Sequence, residues 1–163
     1  MVRQAEKWAV LFGIFIVTVG LTAWRAVKAA DHEPKLLKSG VIGFDGAKAH
    51  QTDWGEMRCY FTGETFGTKD VLTAVAIVKP GKSVHRAHRH AEEEYLILAE
   101  GSGTWSLNGK EFPAKRGDIL YVEPWVYHEL TNTSTEPLIF GVVRFNSKGV
   151  KLPLHPDNRP DEQ

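Results

Sequence analysis

From Gly40 to Lys148 the chain alternates short runs rich in β-branched and aromatic residues with turn residues, and no stretch carries helical periodicity. That punctuation directs the chain towards an all-β fold. The spacing predicts strands over Met57–Phe61, Val71–Val78, Glu93–Ala99, Gly103–Leu107, Asp118–Val122, His128–Asn132 and Leu138–Phe145. Asn108-Gly109, between Thr104–Leu107 and Lys110–Phe112, is a two-residue hairpin signal, since both residues accept the positive φ that a type I′ turn requires. Short strands at this density close into a sandwich or a barrel.

The amino-terminal segment is different. Trp8–Trp24 contains no charged residue and would be about 25 Å long as a helix at 1.5 Å per residue. A hydrocarbon core of about 30 Å is nearly spanned by such a helix. Trp8 and Trp24 mark its two ends, where interfacial indoles are favoured, and basic residues flank both sides. The length and the paired tryptophans fit an uncleaved transmembrane anchor. The alternative is a cleaved secretory signal, for which Val27-Lys28-Ala29 offers a cleavage site. Either reading carries the remainder out of the cytoplasm, as a membrane-anchored extracytoplasmic domain or as an exported, periplasmic one. The expected organisation is an anchor or signal over 1–30, a linker and leading segment over 31–54, a β domain over 55–146 and a charged, proline-bearing tail over 147–163. The tail reads as a solvated arm or as a cover laid over the barrel.

Lysine plus arginine equals aspartate plus glutamate, at 20 each. Beyond residue 30 the balance is sixteen basic against nineteen acidic side chains. A mildly acidic domain argues against a nucleic-acid partner. Cys59 is the single cysteine, so no intrachain disulfide forms, and the thiol reads as a small buried hydrophobe.

Chemistry concentrates in two stretches, Gly81–Gly101 and Gly117–Asn132. His88 and His90 are two apart, so an extended backbone aims both imidazoles to one side. Glu94, Leu96 and Leu98 share their parity. A continuous register therefore puts two histidines and a carboxylate above apolar walls at one mouth of a barrel. His128 opens a later strand and reaches the same mouth if the two strands lie close together. Three imidazoles and a carboxylate suit a divalent first-row metal that keeps open coordination positions.

These residues resemble the motifs of the cupin superfamily. Its first motif is a glycine, a His-x-His pair, a glutamate and a second glycine. Here Gly81, His88, His90, Glu94 and Gly101 take those places, with the Gly81–His88 spacing one residue longer than the family pattern. In its second motif Gly117, His128 and Asn132 match in unbroken register. Glu123 stands where the family has proline and Trp125 where it has glycine, with Pro124 between them, so the turn is built differently. The resemblance implies a β-barrel of the jelly-roll type. It implies one divalent metal ion (Fe, Mn, Zn, Ni, Co or Cu) held by His88, His90, Glu94 and His128, and it implies that homodimers are common.

With open positions on the metal, a small substrate with two neighbouring oxygens would chelate there, and the leading expectation is a metal-dependent dioxygenase. The alternatives are a metal-dependent isomerase or decarboxylase and a non-enzymatic module that captures a small sugar or carboxylate. The residues assign no catalytic group, although Glu92, Glu123 and His85 are candidates to move protons. His85 reads either as part of an exposed basic patch with Arg86 and Arg89 or as a rim residue that meets an anionic ligand. Trp125 is expected to add an aromatic wall near the metal, Asn132 to fix backbone, and Trp54, Trp105 and Phe112 to sit in the core.

Overall fold

The structure is a computed structural model and describes residues 35–158. The expected anchor or signal helix over 1–30 lies outside the described residues.

Nine strands follow one another: β1 (Lys48–Gln51), β2 (Gly55–Gly63), β3 (Thr68–Val78), β4 (Glu93–Glu100), β5 (Ser102–Leu107), β6 (Lys110–Lys115), β7 (Ile119–Val122), β8 (His128–Thr131) and β9 (Leu138–Ser147). The described residues contain no α-helix, only 3₁₀ turns at Phe44–Gly46 and Pro156–Asn158. The strands form a six-stranded sheet in the order β1-β2-β3-β9-β4-β7 and a three-stranded sheet in the order β6-β5-β8. Every pairing is antiparallel.

The expected strands all form, several with ends extended by a few residues. β1 is an addition, because its sequence Lys-Ala-His-Gln carries no inward apolar face and all four residues are exposed. Pairing with β2 makes it a strand, and it lies inside the leading segment 31–54. The Asn108-Gly109 turn joins β5 to β6 with φ of 48° and 77°, as a type I′ turn requires.

Alternation decides the core. On β4, Glu94, Leu96 and Leu98 are buried while Tyr95 and Ile97 are exposed. β3 contributes Ala74, Ala76 and Val78, and β9 contributes Leu138, Phe140 and Val142. Trp105, Ala114 and Leu130 close the core from the smaller sheet. Trp54 packs against this cluster from a half-buried position. Phe112 departs from expectation at 46% exposure, because it lies on the edge strand β6 close to the hairpin end, where no second layer covers it. Cys59 is half-buried against the core rather than fully enclosed.

One close approach sets the distance between β5 and β8. A Cβ at Gly103 would sit 2.2 Å from the Thr131 carbonyl oxygen, so only glycine lets β8 approach this closely. β8 carries His128, and Gly103 is thus a condition for the position of that imidazole.

Candidate metal centre

Two segments far apart in sequence are stitched together at the mouth of the barrel. His88 and His128 form an antiparallel bridge, with N–H···O bonds of 3.2 and 2.9 Å in the two directions. The Trp125 N–H donates to the His90 carbonyl at 2.7 Å. Further back, Gly81 donates to Asn132 and Asn132 donates to Lys82, each at 2.9 Å. The 81–90 stretch therefore runs beside β8, and the His128 ring is brought against those of His88 and His90.

His88, His90 and His128 each offer a ring nitrogen, and these three atoms lie within 4.8 Å of one another. Glu94 Oε2 is 2.9 Å from His128 Nε2 and 3.6 Å from His90 Nε2. Neighbouring donors about 2.0–2.2 Å from a shared ion have separations of this order. His128 is 1% exposed and Glu94 7%. His88 Nδ1, His90 Nε2 and His128 Nε2 are buried without a hydrogen-bond partner. The 2.9 Å approach of Glu94 to His128 is thus proximity without an aligned N–H donation. Buried orphan nitrogens are costly in a native interior unless something else fills their lone pairs. A divalent cation does so, and the donor set fits one.

The opposite ring nitrogens support that fit. His90 Nδ1 lies 3.1 Å from the Glu92 carbonyl, and His128 Nδ1 lies 3.0 Å from the Val126 carbonyl. A carbonyl only accepts, so in the neutral ring Nδ1 carries the proton and Nε2 presents its lone pair. Charge agrees with geometry. Burial first, then neighbouring His85, His128 and His90, lowers His88 to about 4, which keeps the imidazole neutral at ordinary pH. Burial alone would raise Glu94, but His128 and His90 override it and hold the carboxyl at about 2, hence ionised. Ligation needs neutral imidazole and charged carboxylate.

Below the donors lies a cavity of about 200 Å³, lined by His85, His88, Glu94 and His128 and walled by apolar side chains including Leu72, Leu96 and Phe140. His85 belongs to this wall: its ring centroid is 3.7 Å from that of His88, and desolvation lowers its pKa. His85 is exposed, as is Arg86, and its ring also lines the cavity, so both the rim reading and the exposed-patch reading describe its position. Arg144 and Glu129 also line the cavity. The sequence reading missed both, although Arg144 continues the inward parity of Leu138, Phe140 and Val142 along β9.

Trp125 corrects an expectation. It does not line the cavity. Its indole N–H donates to the Pro153 carbonyl at 2.8 Å, and its ring meets His155 edge-on at 4.7 Å. Arg89 adds an ion pair to Asp157 at 3.6 Å. Residues 153–157 therefore lie on the outside of the metal-site turn, pinned by Trp125. Glu123 is exposed and also stands apart from the cavity. Asn132 is fully buried and fixes backbone, donating from Nδ2 to the carbonyls of Val78 (2.9 Å) and Glu136 (2.8 Å) and accepting from Ser134.

Comparison with known proteins agrees with this geometry. The family described as "Cupin domain" matches residues 74–144. An oxalate-binding protein from Thermotoga maritima is 31% identical over 85 residues, which cover 52% of this chain and 70% of that protein. The chain belongs to the cupin family. A gentisate 1,2-dioxygenase from a Streptomyces species is 32% identical over 79 residues, covering 48% of the chain but only 22% of that enzyme. Among solved structures, a Cupin 2 conserved barrel domain protein from Salinispora arenicola superposes with a TM-score of 0.55 at 21% identity, over 68% of this chain and 91% of that one. At that identity the likeness concerns the fold. All nine strands, the inward histidines and the glutamate fit a metal-binding cupin.

Proposed function

We propose that this cupin binds one divalent first-row metal ion through His88, His90, Glu94 and His128, and acts as a metal-dependent oxygenase on a small substrate that chelates through oxygen. The observation that carries the reading is the convergence of three imidazoles, each offering a ring nitrogen within 4.8 Å of the others and each holding one buried nitrogen without a hydrogen-bond partner, beside an ionised carboxylate. When bound, such an ion supplies Lewis-acid and, for a redox metal, electron-transfer chemistry. The chain's own residues do the rest. The His90 and His128 rings are oriented by the carbonyls of Glu92 and Val126, the apolar wall excludes water, and His85 stands at the cavity within reach of a proton on a bound ligand.

A non-enzymatic binding module is the second reading, favoured by the resemblance to an oxalate-binding protein over 70% of that protein's length. Elemental analysis of the purified full chain, followed by oxygen-uptake assays on the loaded protein with phenolic acids, 2-oxo acids and diols, separates the two. Stoichiometric metal with oxygen consumption supports the oxygenase. Metal with tight ligand binding and no turnover supports the binding module. A chain that retains no metal after reconstitution overturns both.

The apolar 8–24 segment supports attachment to, or export across, a membrane, so we place the cupin domain outside the cytoplasm. Carbonate extraction of membranes is the test, and recovery of a soluble chain beginning near Ala30 would indicate cleavage. Tyr95, Ile97, Ile119 and Tyr121 form an exposed apolar face on β4 and the edge strand β7, which supports a homodimer, checked by sedimentation.

A further inference from the structure

The cavity contains one cation whose partner is not supplied by the described residues. Arg144 lies on β9 directly opposite Glu94 in the antiparallel register, so the two side chains project to the same interior face. It is half-buried, lines the cavity, and forms no salt bridge among the described residues. Glu94 is turned towards the metal-site nitrogens of His128 and His90, 2.9 and 3.6 Å away, where it is read as a metal ligand. Glu129 is committed as well: its two oxygens accept from the Ala87 N–H at 3.0 Å and the Thr131 hydroxyl at 3.3 Å. A guanidinium that lines a largely apolar cavity and is salt-bridged to neither of its two carboxylates is a site for an anion, and its planar fork matches a carboxylate in two parallel hydrogen bonds.

The walls specify the rest of the ligand. Met57, Leu72, Val84, Leu96, Leu130 and Phe140 offer no hydrogen bonds from their side chains and disfavour a polyhydroxylated sugar. The volume of about 200 Å³ admits one ring or a short branched chain, since about 150 Å³ already holds benzene. Charge narrows the choice. A divalent ion, Arg144, Glu94 and Glu129 together leave a single positive charge for a ligand to neutralise. We infer that Arg144 is the specificity-determining residue of this cavity and that the ligand is a compact monocarboxylate with an apolar body. Its carboxylate pairs with Arg144, and a second oxygen serves the metal.

This inference rests on the metal-site reading above. The test uses the full chain in mild detergent, reconstituted with cobalt(II) and checked for metal content before any ligand is added. Calorimetry then compares salicylate and 2-hydroxy-3-methylbutanoate, each with its own primary amide, which keeps the shape and loses the charge. The acids are expected to bind more tightly than the amides by about tenfold or more. Arg144→Met should remove that preference at unchanged metal content, and Arg144→Lys should restore only part of it, because a lysine lacks the fork. Equal affinity for acid and amide on fully loaded protein, or binding of neither, overturns the inference and leaves the metal site standing. Failure to take up cobalt overturns the metal-site reading and this inference with it. If Arg144→Met does not fold, Arg144→Gln carries the same acid-against-amide comparison at unchanged metal content. An acid preference that survives either change overturns the inference, because the metal alone would then supply it.

Discussion

The two stretches that meet at the metal centre reach it by different means. The first, His88–Leu98, supplies two imidazoles from the segment before β4 and a carboxylate from β4 itself. A bend at Ala91-Glu92 breaks the continuous register expected from the sequence, and only the glutamate and leucines alternate inward as strand parity requires. The second, Glu123–Asn132, supplies a single imidazole, yet that imidazole is the most enclosed of the three. It gets there through a turn in which Trp125 adopts a φ of 67°, a conformation that bulky side chains rarely take. The Trp125 N–H to His90, the Trp125 indole to Pro153 and the Tyr127 N–H to Asn108 Oδ1 hold that turn, and the Asn132 amide anchors the far end of β8. Local periodicity is enough to aim side chains within one strand, as for Glu94, Leu96 and Leu98. Bringing a donor from elsewhere requires a scaffold that tolerates strain and satisfies every buried polar group.

The largest expected contrast between the stretches is in metal content. His90→Ala and His128→Ala should each reduce it from about one ion per chain to a small fraction, since each removes a donor from the same set. They should differ in stability. His90→Ala is expected to leave the barrel folded, whereas His128→Ala empties a fully enclosed position and lowers the melting temperature of the metal-free protein further. Elemental analysis paired with thermal melts reads both, and equal destabilisation by the two changes would erase the distinction.

The next effect isolates the scaffold of the second stretch. Asn132→Ala strips two donated bonds from the buried carbonyls of Val78 and Glu136 and should cost about 3 kcal/mol, measured by urea unfolding. Acid acts mainly on the first stretch. The His88 pKa is lowered to about 4, so the unfolded chain takes up the proton first, and this share of stability is present above pH 6.5 and is lost as pH falls through about 4. Glu94, held at about 2, adds a share present above pH 4.5 that is lost as pH falls through about 2. Metal-free protein should therefore weaken progressively from pH 6.5 downward, and a flat pH profile of stability over that range would contradict the burial of these groups. The smallest effect tests the strained turn. Trp125→Gly should be more stable than Trp125→Ala by about 1 kcal/mol, because both lose the tail contacts and only glycine is free at positive φ.

Much of this was readable in advance, residue by residue. The all-β class, the Asn108-Gly109 hairpin and the inward set Glu94, Leu96 and Leu98 follow from turn chemistry and a period of two. β1 was not readable, because an exposed polar tetrapeptide becomes a strand only when a neighbour offers its free edge. Trp125 was misjudged for a related reason: the sequence places an aromatic beside the site but does not say which side of the turn the 153–157 segment occupies. Arg144 carried a signal in its parity with Phe140 and Val142, but its importance appears only once Glu94 is seen opposite it and already engaged.

The sequence by itself determined which side chains can donate to a metal and which face of each strand they share, because alternation is a property of the extended backbone and needs no partner. Only the tertiary structure decided that His128 meets His88 and His90, that one buried nitrogen of each ring is left without a hydrogen-bond partner, and that the cavity's one guanidinium forms no salt bridge among the described residues. Those facts depend on strand order, on the close approach of β8 at Gly103 and on what is packed against what. They are consequences of long-range pairing, which no local pattern encodes.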